Sequence, residues 1–348
     1  MTVDTEDPLD FPKLPHEILL HVIALLDSKS LIAAMGVNRF FADEIERIIY
    51  RSISVSSTDG RHGKIRAALV KKHQRTAYVQ KLEIIMDNPT TFTSELVLTT
   101  FVNVRSLSII PSSKNRSTPA LTSLTQCTFP HLTHFRSTWS LNDPSFRTFL
   151  KAHSSLKRLE LGKSFSTFML PTSFPQSLLP KLEELDGHWS NVVRLVKGRP
   201  VSRISIRSAN MASYVPHHRL ERILPIISDG SGSEHGVQRL AVHVKEIDPS
   251  VVSLIARELP NLTALELVDC SHMELEDTAT LLNKVNGIAE AMRGFNALKE
   301  IRVSGVVLPS SAVSRDLAEV LGRFSSGLER FVMDRCTWVR RDDGWEPY

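Results

Sequence analysis

Cysteine is scarce in this 348-residue chain, which has three: Cys127, Cys270 and Cys336. An odd, widely spaced set builds no disulfide framework, and the lack of any C-x-x-C pair excludes zinc-ribbon and RING-type sites. Neither sign of charge dominates. The 42 Lys and Arg face 38 Asp and Glu, a net of +4, so the concentrated basic charge of a nucleic-acid binder is missing. No apolar run is long enough to cross a bilayer, because the greasiest, from Ile18 to Val37, is broken by His21, Asp27, Lys29 and Ser30. The first twelve residues carry Asp4, Glu6, Asp7 and Asp10 and no base, the reverse of a secretory leader, and residues 1–12 read as an acidic disordered tail. Catalytic signatures are missing too: there is no G-x-S-x-G, no H-E-x-x-H and no phosphate-binding loop. Among 13 histidines the only adjacent pair is His217-His218, and neighbours on a helix do not converge on one ligand. These absences predict a non-enzymatic cytoplasmic or nuclear protein, without cofactor or metal.

What is present begins with size. The length gives a prior of about two domains, and 42% hydrophobic content is ordinary for a folded chain. The net charge hides an asymmetry: residues 1–50 hold four Lys and Arg against nine Asp and Glu, a net of −5, leaving +9 on the rest. That mild basic excess points to an acidic partner. Its densest cluster, Lys71-Lys72-His73-Gln74-Arg75, reads as a solvated helix end where cations complement the dipole. Phe11 to Tyr50 reads as three short helices, with Pro15 at the first entry, a capping break at Asp27-Ser28-Lys29-Ser30 and a stop at Gly36. The apolar set Ile18, Leu19, Val22, Ile23, Leu25 and Leu26 is too wide for a one-sided surface helix. About forty residues are too few to be stable alone, so this unit should lean on something else.

Those residues carry a resemblance. Leu14-Pro15-His16-Glu17-Ile18-Leu19, Val22-Ile23, Leu26-Asp27, Ser30-Leu31 and Val37-Asn38-Arg39-Phe40-Phe41 resemble an F-box, with Phe41 where that family often has Trp and Asn38 where it often has Cys or Ser. The resemblance covers residues 13–55. It implies docking onto the Skp-type adaptor of a cullin–RING ubiquitin ligase, with Leu14, Pro15, Ile18, Leu19, Ile23 and Leu31 as the adaptor-binding positions.

From residue 79 a six-residue apolar pattern recurs ten times: Val79-x-x-Leu82-x-Ile84, Val104-x-x-Leu107-x-Ile109, and onward to Leu328-x-x-Phe331-x-Met333. Successive starts lie 19–36 residues apart, about 28 on average, which resembles an irregular leucine-rich repeat. The third apolar position fails at Ser137 and Gly187. Cys270 and Cys336 fall where that family places Asn or Cys, which makes them buried structural thiols. Asp143-Pro144 and Asp248-Pro249 open helices between repeats, longer helices are expected over Met273–Phe295 and Ser310–Phe324, and residues 228–236 read as a flexible insertion. The expected fold is therefore α/β: a short all-α head, then residues 56–348 as a solenoid of about ten repeats. A β/α barrel would make the strands continuously apolar; here Arg158 and Glu160 flank Leu159, and Arg203 and Ser205 flank Ile204, so one strand face meets water.

Period-2 geometry puts residues two, four and six after each repeat start on that outward face. Arginine suits bidentate recognition of carboxylate or phosphate, so Arg136, Arg158, Arg203, Arg207 and Arg239 are the candidate substrate-binding positions, with Glu160, Glu184 and Asp186 available to neutralise them. Trp139 and Trp189 read as inward packing. The expected function is a substrate receptor: the head docks to the ligase adaptor, and the solenoid holds an unidentified protein that is acidic or phosphorylated. The alternative is an F-box scaffold acting outside a ubiquitin ligase.

Overall fold

A computed structural model describes residues 15–56, 62–86, 98–111, 124–162, 174–207, 214–234, 236–270, 278–305, 311–333, 336–342 and 344–348. The architecture is mixed α/β, built on one 13-stranded sheet. Three helices open the described chain: α1 (His16–Leu25), α2 (Ser28–Ala34) and α3 (Arg39–Tyr50). Pro15 immediately precedes α1, as its fixed φ favours. The Asp27 carboxylate accepts from the Ser30 amide (2.7 Å) and caps α2, and Asn38 accepts from the Phe41 amide (2.9 Å) and caps α3. Each satisfies one of the amides a helix start leaves unpaired. Ile23, Leu31 and Ile45 form a small core of their own, flanked by Leu26, Ala34, Met35 and Phe41.

The sheet follows at once. Strand β1 (Ser52–Ser56) precedes α4 (His62–Lys71) and α5 (Gln74–Tyr78), and then β2 (Lys81–Met86) pairs with β1 in parallel. The sheet therefore starts inside the segment 13–55 that the sequence assigned to the helical head: Ile53 and Val55 face the main core, while Ser52 and Ser54 face outward. Strands β3 (Ser106–Pro111), β4 (His134–Ser137), β5 (Arg158–Leu161), β6 (Glu184–His188), β7 (Arg203–Arg207), β8 (Arg239–Val244), β9 (Ala264–Asp269), β10 (Glu300–Ser304) and β11 (Arg330–Met333) add one after another in chain order, all parallel. β12 (Cys336–Arg341) and β13 (Gly344–Pro347) close the sheet antiparallel. Aligning the repeats on their first apolar residue reproduces the observed register: Lys81, Ser106, His134, Arg158, Glu184, Arg203, Arg239, Ala264, Glu300 and Arg330 lie side by side across the strands.

One row of the ladder, from Leu82 through Phe135, Leu185 and Leu265 to Phe331, is buried throughout. It packs against α6 (Pro144–Ala152), α7 (Trp189–Val196), α8 (His217–Gly230), α9 (Pro249–Glu258), α10 (Thr278–Met292) and α11 (Ser311–Phe324) in one continuous core. The two defective repeats keep the register because both positions are closed in. Ser137 is fully buried with its hydroxyl accepting from the Trp139 amide (3.1 Å), and a Cβ at Gly187 would stand 3.1 Å from the Leu161 carbonyl oxygen. Asp143 caps α6 through the amides of Ser145 and Phe146, and Asp248 caps α9 through those of Ser250 and Val251, each followed by proline in the first turn.

Two further expectations change. The flexible insertion at 228–236 is partly helix: α8 runs to Gly230, whose carbonyl accepts from Gly198 (2.7 Å), while the Gly232 amide donates to Arg199 (2.8 Å). Glycine permits that approach, since a Cβ at Gly232 would lie 3.2 Å from the Gly198 carbonyl carbon. Cys270 and Cys336 are half-buried, and only Cys127 is buried. Trp139 and Trp189 are half-buried against the core, as expected. Among the described residues no helix is long and apolar enough to cross a membrane.

Candidate functional site

The two groups of candidate residues lie on two surfaces. On the head, Leu14 lies outside the described residues. Pro15 is exposed, Ile18 is 49% exposed and Leu19 is half-buried, whereas Ile23 and Leu31 sit at 0% and 9% inside the head's own core. Those two are packing residues: together with Ile45 they make up the head's own core. The docking positions read from the sequence left out other exposed side chains of the head. Val22, Leu25, Ile32, Val37, Ile48 and Ile49 are all exposed large aliphatics, Leu25 at 75%. The signal was available in the over-wide apolar set on α1, which exceeds what one buried face needs. With Ile18, they give each of the three helices at least one exposed large aliphatic.

The head is fixed to the sheet by a charged joint. Glu46 on α3 is buried and ion-paired with both Lys72 and Arg75 (2.7 Å to Arg75). Arg75 also donates to the Ala68 carbonyl (2.8 Å) and lies 4.9 Å from the centre of the Tyr50 ring. Burial pushes the Glu46 carboxyl up, but hydrogen bonds and charge from Lys72 and Arg75 outweigh it and hold it below the ordinary range. The basic cluster at 71–75, expected to be solvated, thus supplies the two cations that close this joint.

The second surface is the sheet face away from the helices. All five candidate arginines are exposed there. Carboxylates from neighbouring strands thread between four of them. Glu160 pairs with Arg136 (3.5 Å) and Arg158 (2.6 Å), and Glu184 with Arg158 (3.4 Å) and Arg203 (2.7 Å). Asp186 pairs with Arg207. Asp186 is the unusual member: burial, with Glu160 also nearby, pushes its carboxyl up to about 6 despite Arg207, Arg158 and a hydrogen bond from Ser205. Burial, with Arg207 nearby, lowers the pKa of His243. Between β5 and β10 the face holds an open depression of about 260 Å³ whose lining includes Arg158, Glu184, Arg203, Arg239, Glu266 and Glu300.

Neither Cys127 nor Cys270 is an activated nucleophile: burial pushes the Cys127 thiol up, and burial with the Asp269 charge does the same to Cys270. Among the described residues no cluster of three His, Cys, Asp or Glu could hold a metal ion. No family model matches the chain, and no curated protein matches it either.

Proposed function

We propose that the protein is a two-surface receptor: its F-box-like head docks onto the Skp-type adaptor of a cullin–RING ubiquitin ligase, and the open face of a leucine-rich-repeat-like solenoid holds an acidic protein client. The mechanism is proximity. The client is held near a ubiquitin-charged enzyme carried by other subunits, and the gain is effective concentration rather than chemistry on this chain. The observation that carries the reading is the exposed aliphatic surface of the head, on a unit that already has its own core and is pinned to the sheet through Glu46. A head that only capped the sheet would turn those side chains inward. The docking set becomes Pro15, Ile18 and Leu19 with Val22, Leu25 and Ile32; Ile23 and Leu31 support it from beneath. For the second surface, parallel strands stacked in chain order, whose outward residues are open to solvent among the described residues, supply the long platform that repeat proteins use for partners.

The test is co-purification of the full chain with a Skp-type adaptor, alongside the Leu25→Asp/Ile32→Asp variant. Stoichiometric binding by the parent and at least tenfold weaker binding by the folded variant is the expected result. Equal recovery of both would end the docking proposal. Adaptor binding without any gain in client ubiquitination in a reconstituted ligase would favour the scaffold alternative.

A further inference from the structure

Among the five exposed arginines of the open face, Arg239 differs from the other four. Each of those is ion-paired with Glu160, Glu184 or Asp186, whereas the Arg239 side chain has no carboxylate or other hydrogen-bonding partner among the described residues. Register explains this. In its row Arg239 lies between Arg203 on β7 and Ala264 on β9, so one neighbour repels it and the other is a methyl group. Like charges set directly opposite across strands are unfavourable, and Arg203 is already committed to Glu184 at 2.7 Å. The next row holds Ser205, Ala241, Glu266 and, on β10, Arg302, whose guanidinium is ion-paired with Glu300 (3.4 Å). Short side chains at Ser205, Ala241 and Ala264 open the depression of about 260 Å³ beside the guanidinium. Glu266 faces the same depression, half-buried, and also has no hydrogen-bonding or ionic partner among the described residues. It lies diagonally from Arg239, on the next strand and two residues on, which sheet geometry makes roughly 8 Å.

We propose that Arg239 and Glu266 form a dipolar recognition site on the open face, taking a peptide whose acidic side chain seats on Arg239 and whose basic side chain, two residues away, seats on Glu266. This rests on the reading that the open face holds a protein client, and it names the client's local chemistry. In an extended peptide, residues i and i+2 point the same way about 7 Å apart, which matches the diagonal. A guanidinium with free donors takes a carboxylate in a two-pronged hydrogen bond. A polyanion is a poorer fit, because Glu160, Glu184, Glu266 and Glu300 project from the same face and a phosphate dianion would meet one unpaired cation, not a cluster. A nucleic acid needs several phosphate contacts in a row, and four of the five arginines are occupied.

The experiment follows the side-chain Nε–Hε signals of the full chain labelled with ¹⁵N-arginine, the Arg239 signal being assigned by its loss in Arg239→Gln. The probes are the blocked tripeptides Glu-Gly-Lys, Gln-Gly-Lys and Glu-Gly-Gln, inorganic phosphate, and a ten-nucleotide oligouridine. The Glu-Gly-Lys peptide should move the Arg239 signal saturably, about threefold tighter than either singly charged peptide, and Glu266→Gln should erase the advantage conferred by lysine. An unmoved Arg239 signal, equal shifts at every exposed arginine, or tighter binding of phosphate or oligouridine would overturn the proposal. Because the readout is local, it separates the two readings: normal peptide binding with no client captured in cells sinks the receptor function alone, whereas client capture unaffected by Arg239→Gln sinks the dipolar site alone.

Discussion

The head and the sheet body solve the same burial problem in opposite ways. In the body, each strand contributes apolar residues to one continuous core, and the outward rows of the central strands are dominated by short or charged side chains. In the head, three short helices bury Ile23, Leu31 and Ile45 and leave seven large aliphatics among the described residues at 37–75% exposure. Burying an aliphatic side chain stabilises by roughly 1.5–3 kcal/mol, so the body realises that energy internally while the head leaves part of it unrealised. The two meet at Glu46, where one buried carboxylate is matched by two cations from the body side.

Five perturbations should sharpen or break this contrast. The largest is Arg199→Met in the body. Arg199 is fully buried with no carboxylate, its guanidinium donating to the carbonyls of Leu178, Leu195, Lys197, Phe174 and Pro175 at 2.6–3.4 Å, and burial pushes its pKa down to about 10. Leaving those carbonyls unsatisfied should cost about 4 kcal/mol or more of body stability in denaturant unfolding; a loss below about 1 kcal/mol would mean water replaces the guanidinium. Next, Ile23→Ala should cost about 3 kcal/mol, confined to hydrogen-exchange protection of residues 16–50 while the sheet is unchanged. Loss of sheet protection would show one cooperative unit instead of two.

Asp186 provides a pH test. Its folded pKa of about 6 lies above the ordinary 3.8, so between those values the folded state binds more protons than the unfolded chain. Its stabilising contribution is therefore complete below pH 3.8 and lost as pH rises through about 6. Relative to Asp186→Asn, the parent should lose on the order of 2–3 kcal/mol across that window, measured by thermal melts at stepped pH; parallel curves would refute the burial assigned to this carboxylate. Glu46→Gln should cost about 2 kcal/mol, because two cations lose their shared charge, and it should loosen protection at α3 and α5 alone. The smallest effect belongs to Leu25→Ser: its side chain touches little, so stability should change by less than about 0.5 kcal/mol, and a larger loss in a melt would place Leu25 in the core.

The contrast was only half visible in the residues themselves. Alternation and spacing sufficed to align ten strands, since Arg158, Glu184 and Arg203 fall in register wherever the first apolar position of each repeat is matched. The Asp-Pro helix starts were equally plain, because a capping carboxylate followed by proline has one favourable use. Strand β1 was hidden because its repeat, Tyr50-x-x-Ile53-x-Val55, begins on the last residue of α3, so its first apolar position reads as part of the helix. The antiparallel close of β12 and β13 breaks the period altogether. Arg199 looked like any surface arginine beside Lys197, since a lone cation's burial depends on carbonyls brought from residues 174–178 by the fold. Which of Ile18, Leu19, Ile23 and Leu31 faces out could not be read from α1 alone, as α3 supplies Ile45 on the inner side. On the open face, the arginines were evident; that Arg239 is the one left unpaired follows from its neighbours Arg203 and Ala264, which only the register reveals.

The most direct measurement is hydrogen exchange by mass spectrometry on the full chain, with and without a purified Skp-type adaptor. The account predicts new protection in α1 and α2, residues 16–34, while β2 to β11 exchange as before. Protection on the open face of the sheet, or no change at the head under saturating adaptor, would contradict it.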